Sequence, residues 1–402
     1  AGIYNLYFGQ TGDYTIQPVL ENPSYFNINP NFPNINIPSI DNSTTTQDFC
    51  LTANGSVADA EVVIAPLVPS RPGFDAIYKL MYKNKGNQIL SGNVSFEYDD
   101  AVLDFVSSTT TPDIQNTGVL TYNFTNLYPF ESRTLEITLN VNSPTETPPI
   151  NIDDVLDYTS VITIDQTEET PVDNTFDYRE IVIGAFNLNN ITCLQGDIAP
   201  ESLIGEFLHY VIRFENTGNA AAENVIVTSE INASDYNINT LQVLVASHDM
   251  YVRNNNGIIE FVFENIQLSG GGGHGNILLK IKTKPDLVTN DEVELNADIF
   301  FDFNFPITTN TAKTIFSNLS VDGFNPELNI NIFPNPTASN IFVKTDYNIQ
   351  SITVYDIKGR KILYNKTVSK QTSLNLSAFD NGIYFMFIKT DEGELTKKII
   401  KN

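Results

Sequence analysis

Few side chains in this chain could do chemistry. Its 402 residues include 3 His, 2 Cys and no Trp, too little for an evident zinc site or thiol enzyme. His248 stands in Ser247-His248-Asp249, the residue types of a nucleophilic hydrolase. That chemistry needs the serine oxygen on one imidazole nitrogen and a carboxylate on the other. Successive residues of a strand point to opposite faces and do not build it, and no G-x-S-x-G elbow occurs. His209, beside Tyr210 at a strand start, carries no catalytic motif either. The run from Ser269 to Gly275 has the glycines of a phosphate loop. It lacks the Lys and the following helix, and a strand follows at Ile277–Ile281. A flexible hairpin loop containing His274 is expected instead. Carboxylates cluster at Asp99/Asp100/Asp104, at Asp153/Asp154/Asp157 and at Asp165/Glu168/Glu169/Asp173/Asp177. They offer oxygens to Ca²⁺ between domains but lack EF-hand spacing, so a solvated acidic surface is the plainer reading. No cofactor is expected, with Ca²⁺ the one candidate.

The elements that would position these groups are strands. No window of 12 residues shows a capped helical face. Short β-branched and aromatic runs appear instead: Ala76–Tyr82, Asn93–Tyr98, Leu135–Val141, Val161–Ile164, Tyr210–Phe214, Val225–Thr228, Ile258–Phe263 and Ile277–Ile281. Gly, Asn, Pro and Asp separate them, and Asn alone occurs 48 times. The fold class is therefore all-β. The balance of 48 acidic against 22 basic residues, net -26, argues against nucleic acid and against anionic membrane surfaces. No apolar run is long enough for a transmembrane segment. Ala1-Gly2-Ile3-Tyr4 has no charged or apolar targeting region, so Ala1 is expected to be an internal point of a longer or processed protein.

An internal repeat sets the domain order. Tyr78-Lys-Leu-Met-Tyr82-Lys-Asn84-Lys-Gly86-Asn87 aligns with Tyr210-Val-Ile-Arg-Phe214-Glu-Asn216-Thr-Gly218-Asn219. Gly118 to Asn126 aligns with Gly257 to Asn265, and Leu135–Val141 with Ile277–Thr283. The Asn-x-Gly-Asn in each copy suggests a tight turn at positive φ. Residues 46–184 and 185–318 read as two related β-sandwiches. Residues 1–45 read as the tail of a preceding β domain plus linker, 319–327 as a linker, and 328–402 as a third, small β-sandwich. Cys50 and Cys193 each open one sandwich. In an end-to-end array they would lie about 30–40 Å apart, so two separate buried residues are expected rather than a bridge.

Charge separates the last unit. Residues 331–402 hold 10 basic and 6 acidic side chains, leaving 12 basic and 42 acidic for the rest. Its ordered motifs are Phe333-Pro334-Asn335-Pro336, Val354-Tyr355-Asp356-Ile-Lys358-Gly359-Arg360, Leu374-Asn-Leu-Ser-Ala-Phe379-Asp380-Asn381-Gly382-Ile-Tyr384-Phe385, and Thr396-Lys397-Lys398-Ile-Ile-Lys401. Lys358-Gly359-Arg360 and Asp380-Asn381-Gly382 suggest turns, and Ile383–Ile388 a central strand. Together these motifs resemble the type A C-terminal sorting domain of the Bacteroidetes type IX secretion system. The resemblance implies a secreted or cell-surface protein carried across the outer membrane. It implies recognition by the outer-membrane shuttle barrel (PorV) and the translocon pore (SprA or Sov type), then removal by a sortase-type peptidase. The residues expected to matter for export are Pro334, Asn335, Pro336, Tyr355, Asp356, Gly359, Arg360, Gly382, Tyr384, Lys397 and Lys398, with Arg360 and the two lysines giving a positive face. An exposed last strand could also add to a partner's sheet edge. The middle units resemble Ig-like repeats of bacterial surface proteins. At the start of the second, relatives carry Asp-Pro-Asn-Asp where this chain reads Asn187-Leu188-Asn189-Asn190.

The expected function is non-enzymatic: tandem Ig-like sandwiches as a stalk, followed by the folded export signal. The alternative is the C-terminal part of a secreted hydrolase or adhesin whose active or binding domain lies upstream of Ala1.

Overall fold

The computed structural model describes residues 4, 6, 8–41, 43–184, 187–255, 257–317, 330–356, 360–391 and 394–402. Among them the only helical pieces are 3-10 turns of three or four residues. Seven of the eight strands read from the sequence lie within strands of the structure, and the eighth, Asn93–Tyr98, overruns its strand, Leu90–Glu97, by one residue. The chain divides into residues 1–318 and residues 319–402.

In the first unit the two sandwiches share one strand plan. The first has a four-stranded sheet ordered Ala60–Val68, Asp75–Asn84, Ser132–Val141, Leu103–Ser108. Across its core lies a sheet ordered Thr175–Ile181, Val155–Ile164, Leu90–Glu97, Val119–Leu127, Ile114–Asn116. The second repeats both: Asn190–Cys193, Phe207–Asn216, Gly273–Lys282, Gln242–Ala246, facing Ile307–Thr308, Asp298–Phe301, Val225–Glu230, Ile258–Phe263, Tyr251–Asn255. The aromatics of the repeat, Tyr78 and Tyr82 in one copy and Tyr210 and Phe214 in the other, are buried.

The repeated Asn works differently from the expected turn. Asn84 Nδ2 donates to the carbonyls of Gln88 (2.7 Å) and Leu127 (2.9 Å), and its Oδ1 accepts from the Gly86 amide. Asn216 does the same with Ala220, Leu268 and Gly218. Gly86 and Gly218 are not at positive φ; a Cβ on Gly86 would stand 2.5 Å from the Val57 carbonyl oxygen. The Asn ties two loops together, and the Gly permits their close approach. Positive φ falls instead at Asn126 (53°) and Asn265 (54°), equivalent positions further along the repeat.

The sandwiches are not end to end. Their four-stranded sheets pack face to face: Val63, Ala65 and Met81 of the first join Val211, Leu244 and Leu278 of the second in one buried cluster. These sheets are therefore covered on both sides, which is why their sequences run apolar (Val62-Val63-Ile64-Ala65, Ile277-Leu278-Leu279) instead of alternating. Residues 21–29 dock on the first sandwich, where Phe26–Asn29 pairs with Cys50–Ala53 and Phe26 stacks on Phe130 at 4.7 Å. Cys193 is buried, but Cys50 is exposed on that edge strand, contrary to expectation, and both thiols are free.

The second unit is a small sandwich made by two long strands, Asn340–Asp356 and Lys361–Asn375, whose pairing breaks register between Lys344 and Ile349. Before the break Asn340–Asp356 also pairs with Ile330–Phe333; after it, with Gly382–Thr390, which pairs in turn with Glu394–Lys401. Ile341, Val343, Ile352, Val354, Met386 and Ile399 fill the space between the halves. Ile341–Val343 and Ile352–Val354, read from the sequence as parts of separate strands, belong to one continuous strand.

Candidate functional site

The expected export residues fall into three structural groups. Asn335 holds the first edge to the last strand: its Nδ2 donates to the Lys398 carbonyl at 2.9 Å and its Oδ1 accepts from the Ile400 amide at 2.8 Å. Thr337 extends this clamp through Ile400 and Asn402, so the last strand is not an open edge beyond Lys398. Pro334 and Pro336 bracket Asn335, and both follow cis peptide bonds.

Asp356 and Arg360 close a hairpin. The Asp356 carboxylate accepts from the Arg360 backbone amide at 3.0 Å and from its Nε at 2.7 Å. Gly359 lies outside the described residues. Tyr384 is buried and donates its hydroxyl to the Asp380 carbonyl at 2.8 Å, bracing the second turn. Gly382 in that turn is not at positive φ, and a Cβ there would touch nothing, so neither backbone nor space requires glycine at this position.

The third group faces outward. Tyr355, Phe385 and Lys398 are register partners across three strands, and Phe385 is 41% exposed. Lys397 and Lys398 are both exposed, but as neighbours on a strand they point to opposite faces, so they do not form the single positive face expected with Arg360. Phe385 was missed in the sequence because Ile383–Ile388 reads as apolar on both faces. In the structure only Tyr384, Met386 and Ile388 are buried, while Ile383 and Phe385 are exposed.

Ionisable groups are concentrated where the first unit's sandwiches meet. Lys280 Nζ, buried, lies 2.6 Å from Glu61 Oε1, 3.0 Å from Glu21 Oε1 and 4.5 Å above the Phe207 ring. Lys85 sits among Asp59, Glu21 and Asp173. Burial alone would raise Glu61 and Glu21, but Lys280 beside them holds both carboxyls below their usual range. His209 Nε2 is 3.7 Å from Glu61, yet burial keeps the imidazole below its ordinary value. Arg213, also buried, donates Nε to Asn190 Oδ1 at 2.7 Å and reaches Thr192 and the Pro66 carbonyl. It walls a cleft of about 550 Å³ that Tyr178, Glu180 and Asn310 also line.

The remaining sequence candidates resolve into structural roles. Ser247 follows a strand end, and its Oγ is 2.8 Å from His248 Nδ1, closer than strand alternation suggests. No carboxylate hydrogen bond to that ring occurs among the described residues. The glycine run makes a close-packed turn leading into a strand: a Cβ on Gly270 would stand 2.7 Å from the Ala220 amide nitrogen, and one on Gly275, within the strand, would meet the Phe214 ring at 2.3 Å. His274 lies in the strand that follows and is exposed. Several of the clustered carboxylates cap backbone: Asp99 accepts from Ala101, Asp154 from Asn151 and Glu168 from Ala60. Among the described residues no group of three or more His, Cys, Asp or Glu is placed to hold a metal. No helix among them is long and apolar enough to cross a membrane.

Residues 187–315 match a domain of unknown function (DUF7619), and residues 331–402 match the secretion system C-terminal sorting domain. No curated protein matches the chain. Three solved structures share a weak likeness. The C-terminal domain of the Streptococcus pyogenes antigen I/II-family protein AspA is 10% identical with a TM-score of 0.26, over 65% of this chain and 100% of that one. Collagen adhesin (CNA) from S. aureus is 11% identical with a TM-score of 0.23, over 66% and 96%. BcpA, the major pilin subunit of Bacillus cereus, is 9% identical with a TM-score of 0.24, over 86% and 96%. At those values none of them assigns a ligand or an activity.

Proposed function

As the bearer of a type IX sorting domain, the chain is a cargo carried across the outer membrane to the cell surface or released beyond it, and we propose that it acts there without enzymatic activity. The paired sandwiches are the passenger. The folded C-terminal sandwich is read by the shuttle barrel PorV and the SprA- or Sov-type pore, then removed by a sortase-type peptidase. The observation that carries this reading is the outward row of Tyr355, Phe385 and Lys398, an exposed aromatic beside an exposed cation on a sheet face. Such a surface offers a partner apolar area and a charge together. The hairpin lock and the Asn335 clamp keep that face in register, so recognition is of a fold rather than of a linear peptide.

Deleting residues 328–402 is expected to hold the protein in the periplasm of its own host, and normal surface display of the truncated chain would refute the assignment. Phe385→Ser tests the face itself. It is expected to slow export while leaving the fold intact by circular dichroism, and unchanged export would remove this face from the recognition surface.

A second reading, adhesion, is favoured by Phe303 and Phe305, both almost wholly exposed in the turn between Asp298–Phe301 and Ile307–Thr308. Replacing both with Ser in the exported protein and measuring attachment of whole cells separates an adhesive tip from an inert one.

A further inference from the structure

We propose that Lys79 and Asn276 become joined by a covalent amide bond that locks the two sandwiches together. Lys79 stands on Asp75–Asn84 of the first sandwich and Asn276 on Gly273–Lys282 of the second. Both are buried, at 4% and 6% exposure, and Lys79 Nζ lies 3.1 Å from Asn276 Oδ1. The amine thus rests on the carboxamide oxygen, which is itself one bond from the carbon to be attacked, so rotation of the Asn276 side chain is what brings nitrogen and carbon to a near-attack separation. A third group completes the set: Glu136, the register partner of Lys79 on Ser132–Val141, places Oε1 3.5 Å from the same Nζ.

The chemistry is a transamidation and needs no external reagent. The neutral Lys79 nitrogen attacks Asn276 Cγ, and a new C–N bond forms. Glu136 takes a proton from that nitrogen and returns it to Nδ2. The Cγ–Nδ2 bond then breaks and one ammonia departs, leaving a secondary amide and a regenerated carboxylate. Burial lowers the Lys79 ammonium's pKa despite Glu136 beside it, which favours the neutral nucleophile. Glu136 is 43% exposed, giving ammonia a way out. The backbone of Asn276 is fixed from behind, its amide donating to Ser247 Oγ at 2.9 Å and its carbonyl accepting from the Ser247 amide at 2.9 Å. A neighbouring amine–amide pair, Lys83 and Gln242, is looser at 3.5 Å, and Lys83 makes no ion pair among the described residues. It serves as an internal comparison that should stay unjoined.

The test is the mass of the full chain after purification and denaturation. The expected result is a mass lower than the sequence by one ammonia in most of the population. Digestion is expected to yield a branched peptide joining the segments that hold Lys79 and Asn276. Lys79→Arg and Asn276→Ala are each expected to restore the full mass. A wild-type chain at full mass, or one with Asn276 converted to aspartate and Lys79 free, overturns the proposal without relying on any variant's folding. Glu136→Gln, folded by circular dichroism, is expected to remain unjoined; joining as complete as in wild type would overturn the role given to Glu136.

Discussion

Single residues in the first unit carry charges that water cannot reach, and their partners decide what they contribute. Lys280 is 1% exposed and faces Glu61 and Glu21. A buried pair of this kind is weak evidence of net stabilisation, but removing one partner strands the other at a cost of about 3–5 kcal/mol. Glu61→Gln should therefore destabilise the protein at neutral pH, by less than that amount because Glu21 still faces Lys280 at 3.0 Å. The pH dependence has a definite sign. Because Lys280 holds the Glu61 carboxyl below its usual 4.5, its stabilising effect is complete above the unfolded value and is lost as pH falls below it. The gap in melting temperature between wild type and Glu61→Gln should narrow as pH falls below about 4.3. A gap that does not change on acidification would mean that Glu61 is not held ionised by Lys280. Asp173, pushed up to about 6 by burial despite Lys85 and raised further by Glu61 itself, acts in the opposite direction, so the comparison is read below the pH range in which Asp173 titrates.

At the scale of elements, the Asn335 clamp ties the turn after Ile330–Phe333 to the last strand, at Ile400, 65 residues away in sequence. Asn335→Ala leaves the Ile400 amide and the Lys398 carbonyl without these partners, at about 1–3 kcal/mol if they remain shielded from water. Amide exchange should quicken at Ile400 while Met386 and Ile388 in the central strand stay protected; equal protection in both proteins would show that the clamp does not hold the edge. Strands of this kind differ in how clearly the sequence shows them. Asp75–Asn84 and Phe207–Asn216 were legible because their aromatics, four residues apart, are core residues in both copies. Lys361–Asn375 was not, because much of it is exposed, with Lys, Asn, Gln, Ser and Thr diluting any alternation. The residues proposed for recognition divide in the same way. Asp356 and Arg360 could be read as a hairpin from local spacing, whereas the alignment of Tyr355, Phe385 and Lys398 depends on register between strands, which no local pattern reports.

At the scale of the molecule, the pairing of the two sandwiches is the feature a tandem repeat leaves open. A repeat fixes two similar folds but not whether they meet at their ends or their faces. The signal was present in the unbroken apolar runs of the four-stranded sheets, which a sheet with one wet face would not carry. Leu278, 1% exposed in the second sandwich, belongs to the cluster that spans the joint. Leu278→Asp should push the sandwiches apart while each keeps its own core, seen as a larger radius of gyration in solution scattering with little change in β content. An unchanged radius would show that the joint does not depend on this apolar contact.

Stacking by faces also sets a thickness. Four sheet layers spaced about 10 Å apart place the outermost sheets roughly 30 Å from each other, three times the separation within one sandwich. An aperture just wide enough for a single sandwich would stop the closed pair, so the order in which the layers come together matters to whatever must let them through.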